Sequence, residues 1–271
     1  MKKLLATAAA ALAALTLFSQ SQGQRLMERY AYSWFEPGEA PTDSMPVGNG
    51  DLAANVYTKG DSLYLLLSKN DAFDSNGDSI KTGRLKISLS PNPFEGGNFK
   101  QTLNIADACV DISANGVLIR VWVDANKPLY NIQISSPRDL SASVQNETWK
   151  RRVFQDIQCN SGDSLIWYHT NPKSKFAEYM NKYRIAHRII DIDKVKDPFL
   201  NYTFANLVES GELKLRDGEL KGRGKRFDIR VHGISDYTED FEGLISKLKA
   251  QAKQSRKTSD FSKHKKWWGD F

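Results

Sequence analysis

Cysteine is scarce in this chain, and so is histidine. Two cysteines, Cys109 and Cys159, in 271 residues exclude a scaffold built on disulfides, and sequence alone does not show whether the two meet. The four histidines, His169, His187, His232 and His264, show no metal-ligand spacing. No metal and no cofactor is expected. No Gly-x-Ser-x-Gly elbow occurs, and neither cysteine has a local histidine, so Ser-His-Asp and Cys-His nucleophiles find no support. A phosphate-binding loop is missing too, because Gly48-Asn49-Gly50 lacks the spacing and the lysine. Beyond the first residues, no segment is apolar over the ~20 residues that cross a bilayer.

The N-terminus has a signature of its own. Lys2 and Lys3 precede an apolar, alanine-rich run from Leu4 to Phe18, and Ser21 and Gly23 place small residues before Gln24. That is the build of a secretory signal over residues 1–23, cut before Gln24. The expected location is periplasmic or secreted, with no membrane attachment after cleavage. Loss of Lys2 and Lys3 lowers the formal net charge from +6 by two. The remaining excess gathers at the end, in Lys249, Lys253, Arg256, Lys257, Lys263, Lys265 and Lys266. Such a run can bind nucleic acid, but an exported chain rarely meets any. A solvated helix face or linker is the better reading, and no nucleic-acid partner is expected.

After Gln24 the dominant hydrophobic period is two. Leu52–Tyr57 and Leu63–Ser68 read as strands, and Gly60 between them suits a tight hairpin. Arg84–Ser90 alternates cleanly. Ala106, Ala108, Val110 and Ile112 alternate as well, and Asn115-Gly116 leads into Val117–Asp124. There Ile119, Val121 and Val123 point one way and Arg120, Trp122 and Asp124 the other. Tyr130, Ile132 and Ile134 continue the series. Later strands are expected at Val153–Cys159, Ser164–His169, Leu213–Leu215 and Phe227–His232, with a loop over Asp191–Phe204. The spacing predicts an all-β antiparallel sandwich rather than alternating β and α units. Two peripheral helices interrupt it. Lys175–Arg184 carries a stripe of Phe176, Tyr179, Met180 and Tyr183. Thr238–Lys253 carries Phe241, Leu244, Ile245 and Leu248, with Asp236 or Thr238 as N-cap.

Three groups of residues could contact a ligand. Two glycines flank Asn49, and Asp51 follows just before a strand, which suits a plain turn or a loop held against a ligand or another domain. Asp71 follows a strand directly. With Asp74, Asn76 and Asp78 it loosely resembles a calcium loop, but the Gly at position six and the Glu at twelve are missing, so solvated loop acids are the better reading. Trp122 and Asp124 share a strand face with Arg120. That face suits sugar stacking, or burial against another sheet or domain. Carboxylates are too scattered to nominate the acid and base of a glycosidase. No catalytic residue is assigned.

The motifs in their order resemble glycoside hydrolase family 95 and its relatives. "MPVGNGDLAANVY" (Met45–Tyr57) is similar to that family's opening strand. "GRLKISLSPNPF", "FKQTLNIADACVDI", "VWVDANKP" and "DPFLNYTF" follow in sequence. The last two resemble a Bacteroidetes branch catalogued as a domain of unknown function, number 5703. The resemblance implies an N-terminal β-supersandwich over 24–246 and a helical linker from 247. "HKKWWGDF" (His264–Phe271) resembles the entry to an (α/α)₆ barrel that carries the catalytic residues. It also implies a parent reaction of the α-fucoside or α-galactoside hydrolysing type. The expected role of this chain is a non-catalytic sandwich domain that stops before its barrel, with a glycan as possible ligand. A stand-alone carbohydrate-binding or interaction module is the alternative.

Overall fold

The computed structural model describes residues 26–147, 154–182, 195–256 and 260–271. The period-two stretches become fourteen strands in one curled sheet, with every ladder antiparallel. In chain order these are β1 (Tyr32–Trp34), β2 (Met45–Gly48), β3 (Leu52–Lys59), β4 (Ser62–Phe73), β5 (Ser79–Ser90), β6 (Phe99–Asn104) and β7 (Cys109–Ala114). Then come β8 (Val117–Val123), β9 (Leu129–Asn146), β10 (Ile157–Gln158), β11 (Ser164–Thr170), β12 (Tyr202–Ser210), β13 (Lys214–Arg216) and β14 (Glu219–Tyr237). Among the described residues, three helices of seven residues or more accompany them: α1 (Phe176–Lys182), α2 (Phe241–Arg256) and α3 (Phe261–Asp270).

Two long strands turn the sheet into a sandwich. The first half of β9 pairs with β8 and the second half with β5. Strand β14 follows β9 through both halves, with a register shift between Gly224 and Arg226. One layer therefore runs β1-β6-β7-β8-β9-β14-β12-β11-β10, and β2-β3-β4-β5 branch from the far half of β9. The hairpin turns are where the sequence places them. Gly60 has φ 60°, and Asn115 and Gly116 have φ 49° and 84°, the left-handed pair that a tight β-turn of this hand requires.

The core fills the space between the layers. Leu63, Leu65 and Leu67 of β4 and Leu85, Ile87 and Leu89 of β5 meet Ile119, Val121 and Val123 of β8 and Phe227, Ile229 and Val231 of β14. Each such side chain contributes about 1.5–3 kcal/mol of burial, which makes this cluster the main driving force. On the outer face, α2 lays Leu244, Leu248 and Ala252 over Ile166, Ala205 and Leu207. Its last residue, Arg256, donates to the buried Glu209 at 2.6 Å through Nε, and Glu209 also meets His232 at 3.2 Å. Burial alone would raise the Glu209 carboxyl. The bonds from His232 and Arg256 outweigh it and hold the group down to about 2.

Several expectations need correction. The segment expected as a loop over Asp191–Phe204 ends in a strand: β12 begins at Tyr202, and all nine of its residues are buried. Covered on one side by the core and on the other by α2, it has no alternation to reveal it. The strand expected from Ala106 starts at Cys109, because residues 105–108 form a turn with Ala108 at φ 48°. Of the strand expected over Val153–Cys159, Val153 lies outside the described residues, and among 154–159 only Ile157–Gln158 form a strand. Helix α2 starts at Phe241, and its cap is neither Asp236 nor Thr238. The Asp240 carboxylate accepts the Gly243 N–H at 2.8 Å. His264–Asp270 lies within a third helix, α3, capped by Asp260 on the Ser262 N–H. Cys109 and Cys159, whose pairing the sequence leaves open, are both free. The leader and residues 183–184 of the first expected helix lie outside the described residues.

Candidate functional site

One rim of the sandwich gathers four of the five candidate residues. The start of β3, the end of β4 and the β8–β9 turn converge there with the ends of β12 and β14. Gly50, at φ 92°, turns the chain before β3, and Asn49 then acts as a clamp. Its Oδ1 accepts the N–H groups of Asp51 and Leu52 at 3.0 and 2.8 Å. Its Nδ2 donates to the carbonyls of Asp124 and Lys127 at 2.7 and 3.1 Å. All four bonding positions of the amide are thus occupied inside the protein. Asn49 joins two loops rather than facing a ligand.

Asp124 is buried beside it. Its Oδ1 accepts the Asn126 N–H at 3.1 Å, and Lys127 lies 3.9 Å from Oδ2, so it shapes its own turn. Asp51 and Asp71 behave differently. Lys69, at the end of β4, donates to the Oδ1 atoms of both at 2.8 Å. The lysine side chain is 11% exposed, whereas the two carboxylates are 43% and 45% exposed. Ser235 of β14 donates to the second oxygen of Asp71 at 2.8 Å. Burial would raise the Asp71 carboxyl, but the bonds from Lys69 and Ser235 win and hold it below the usual carboxylate range. Burial would lower the Lys69 ammonium, but its bonds to Asp51 and Asp71 outweigh that and push it up. Nearby, burial pushes the Tyr202 hydroxyl up. Asn70, exposed, donates its side chain to the Gly50 carbonyl at 3.1 Å.

The result is a charged, half-open cluster with lone pairs facing solvent on two carboxylates. It can accept hydrogen bonds from hydroxyl groups. Asp71 itself is poorly suited to act as a general acid, because a catalytic acid needs a raised pKa and Asp71 is shifted the other way. Asp74 belongs to a turn: its Oδ1 accepts the N–H groups of Asn76 and Asp78 at 2.8 and 3.1 Å. Among the described residues no group of three or more His, Cys, Asp or Glu is placed to hold a metal. Lys69, Ser235 and Tyr202 were not among the sequence candidates. Lys69 had a visible signal, a cation two residues before Asp71 at a strand end. Ser235 and Tyr202 come from far along the chain and had none.

Trp122 lies away from this rim, on the outer face of β8. It is 2% exposed, covered by Phe261 of α3 at a ring separation of 4.9 Å and by His264 at 6.3 Å. Arg120 clasps Asp111 through two bonds of 2.6 and 3.0 Å and stacks on Phe261 at 4.3 Å. The ring is buried with the ion pair beside it, so its face is closed to sugar stacking.

Residues 33–158 match a family model described as a domain of unknown function, DUF5703, in its N-terminal part. All five candidate residues fall inside that span. No curated protein matches the chain. Among solved structures, one described as a candidate kojibiose phosphorylase from the human microbiome aligns with 89% of this chain at 14% identity and a TM-score of 0.49. The alignment covers 38% of that structure's chain.

Proposed function

We propose that this chain is a non-catalytic carbohydrate-associated β-sandwich that engages glycan hydroxyls at the Asp51–Lys69–Asp71 rim. The observation that carries the reading is the pair of half-exposed carboxylates fixed by one buried-stem lysine. A preorganised acceptor pair of this kind recognises hydroxyls at little entropic cost, since the side chains are already held. The ordered motifs that resemble glycoside hydrolase family 95 support the sugar class, with α-linked fucosides or galactosides as the parent substrates. The downward shift of Asp71 supports binding over chemistry.

A catalytic barrel is the proposed partner of the parent protein. Trp267 and Trp268 of α3 and Phe271 just after it pack on one another, with ring separations of 4.8 to 5.7 Å, and Phe271 is 89% exposed. An exposed aromatic cluster of this kind favours a protein interface. Export through a cleaved leader is part of the same reading, and N-terminal sequencing of the mature form tests it. For the function itself, calorimetry of purified residues 24–271 against neutral oligosaccharides should find a ligand whose affinity falls in Asp71→Ala. Aryl α-fucosides and α-galactosides should not turn over. A hydrolytic rate abolished by Asp51→Ala or Asp71→Ala would overturn the non-catalytic assignment.

A further inference from the structure

The last strand brings an aromatic ring to the rim. Strand β14 ends on Tyr237, which stands opposite Tyr202 of β12, as Ser235 stands opposite Phe204. Opposed residues of an antiparallel pair share a sheet face. Tyr237 therefore lies on the face of Ser235, whose hydroxyl donates to Asp71 at 2.8 Å. Residues two apart on a strand are ~7 Å from each other, about the length of one pyranose ring. The other large side chains of this face are buried, Tyr202 at 5% and Phe204 at 1% exposure, whereas Tyr237 is 63% exposed.

Exposure has not left the ring loose. The Tyr237 hydroxyl donates to the Pro198 carbonyl at 2.9 Å. The ring meets that of Tyr202 nearly edge to face, with 5.2 Å between centres. The loop that offers the Pro198 carbonyl is itself tied down: the buried Asp197 accepts the Phe199 N–H at 2.8 Å and the Ser174 hydroxyl at 2.6 Å. A ring held in this way has little entropy left to lose when a ligand settles on it. Next to it, the buried Tyr202 hydroxyl stands beside Asp71 and Ser235 without completing a hydrogen bond among the described residues. A buried polar group normally finds a partner, so this hydroxyl has a bond to offer.

We propose that Tyr237 is the stacking platform of the rim site and that the ligand there is a neutral hexopyranose, taken by one C–H face. This rests on the rim reading and names its ligand class. The sugar C–H groups lie on the π face of Tyr237, while hydroxyls at the ring edge donate to Asp71 and Asp51 and reach the Tyr202 hydroxyl. Carboxylates alone would accept any polyol. The flat ring adds the requirement for a cyclic sugar with an apolar face. Charge adds a second requirement. Asp51 and Asp71 share the single cation Lys69, so the trio keeps one negative charge and disfavours a glycuronate.

The test is calorimetry of residues 24–271 with the methyl glycosides of glucose, galactose, mannose, fucose and glucuronate, and with the open-chain polyol sorbitol. At least one neutral glycoside should bind, about tenfold more tightly than sorbitol or the glucuronate. Tyr237→Ala should weaken it about fivefold. Tyr237→Leu, which keeps apolar bulk without a π face, should do the same, and Tyr237→Phe should stay within about twofold. In NMR spectra the C–H protons of the bound sugar should move upfield with the parent and not with Tyr237→Leu. Tyr32→Ala removes another exposed tyrosine, on β1, and should change nothing. Thermal melts show whether each variant is folded. If Tyr237→Ala and Tyr237→Leu bind like the parent while Asp71→Ala does not, the platform fails and the rim reading stands. Sorbitol or the glucuronate binding as tightly as the neutral glycosides overturns the proposed ligand class. If no probe binds, or if Asp71→Ala leaves affinity unmoved, the rim reading fails and the platform with it.

Discussion

The Glu209 cluster and the Asp51–Lys69–Asp71 cluster use the same chemistry at different depths. In each, a carboxylate meets a long cation and a third polar group, His232 in one and Ser235 in the other. Glu209 is 5% exposed under the end of α2, while Asp51 and Asp71 stand nearly half in water. Desolvation decides what each cluster can do. A buried carboxylate must be fully satisfied by its own neighbours, so it becomes a rivet between helix and sheet. A half-exposed one keeps lone pairs for something else.

The largest effect expected from this contrast is on stability. Glu209→Ala leaves Arg256 and His232 without their acceptor, and should cost about 3 kcal/mol. Urea unfolding measures it. A loss under about 1 kcal/mol, the range of surface pairs, would put the two clusters on the same footing and erase the distinction.

Acid sharpens the same comparison. The Glu209 carboxyl is held down to about 2 in the folded protein, against 4.5 for an ordinary glutamate. A depressed folded pKa stabilises the protein fully above the unfolded value, and that stability is lost as pH falls through the folded one. Between about pH 5 and pH 2 the protein should therefore lose about 3 kcal/mol from this group. Asp71 shifts in the same direction, but its exposure screens the contribution. Glu209→Gln should remove most of the acid-sensitive limb of an unfolding-against-pH curve, and Asp71→Asn little of it. Equal flattening by the two variants would break the contrast.

How far the sequence announced these two clusters follows from how local their signals are. Asp51, Lys69 and Asp71 sit at the ends of neighbouring hairpin strands, where alternation and turn residues place them within a few positions. Glu209 belongs to β12, whose Tyr202–Ser210 stretch is buried on both faces and interleaves Thr203, Asn206 and Glu209 with its apolar residues. That mixture imitates a loop. The polar residues are tolerated because each finds a partner at long range. Asn206 donates to the Thr82 carbonyl at 3.0 Å, and Thr203 bonds Thr170 at 2.9 Å. The same limit hid the cover on Trp122. Its place on the outward face of β8 is readable from the period of two, but Phe261 lies far along the chain and no local pattern connects them. Asn49 was legible as a turn residue, and its reach to the Asp124 and Lys127 carbonyls was not.

Asn49 supplies the next prediction, since it lies among ligand candidates while acting as a clamp. Asn49→Ala removes the one oxygen that accepts two backbone N–H groups and the amide that donates to two carbonyls, in a part-buried setting. The expected cost is about 2 kcal/mol, read from a thermal melt. Glycan affinity, measured well below that melt, should stay within twofold of the parent. A stable Asn49→Ala protein with lost affinity would move the ligand contact from Asp71 to Asn49.

The smallest stability effect should come from Asp71, and there the effect on binding should be the largest. Asp71→Asn keeps the size of the side chain and one carbonyl oxygen. The amide can still accept from Lys69 or from Ser235, but not from both with the same strength, and Lys69 retains its bond to Asp51. Exposed ion pairs contribute about 0.2–1 kcal/mol, so unfolding should shift by less than about 1 kcal/mol. A ligand hydroxyl that donates to the carboxylate loses a charge-assisted bond, the stronger kind. Affinity should then drop about tenfold, a larger change in binding than in stability. The reverse outcome, a destabilisation above that of Asn49→Ala with unchanged affinity, would make the rim cluster a second rivet like Glu209. The water around Asp51 and Asp71 would then be only the edge of a structural joint.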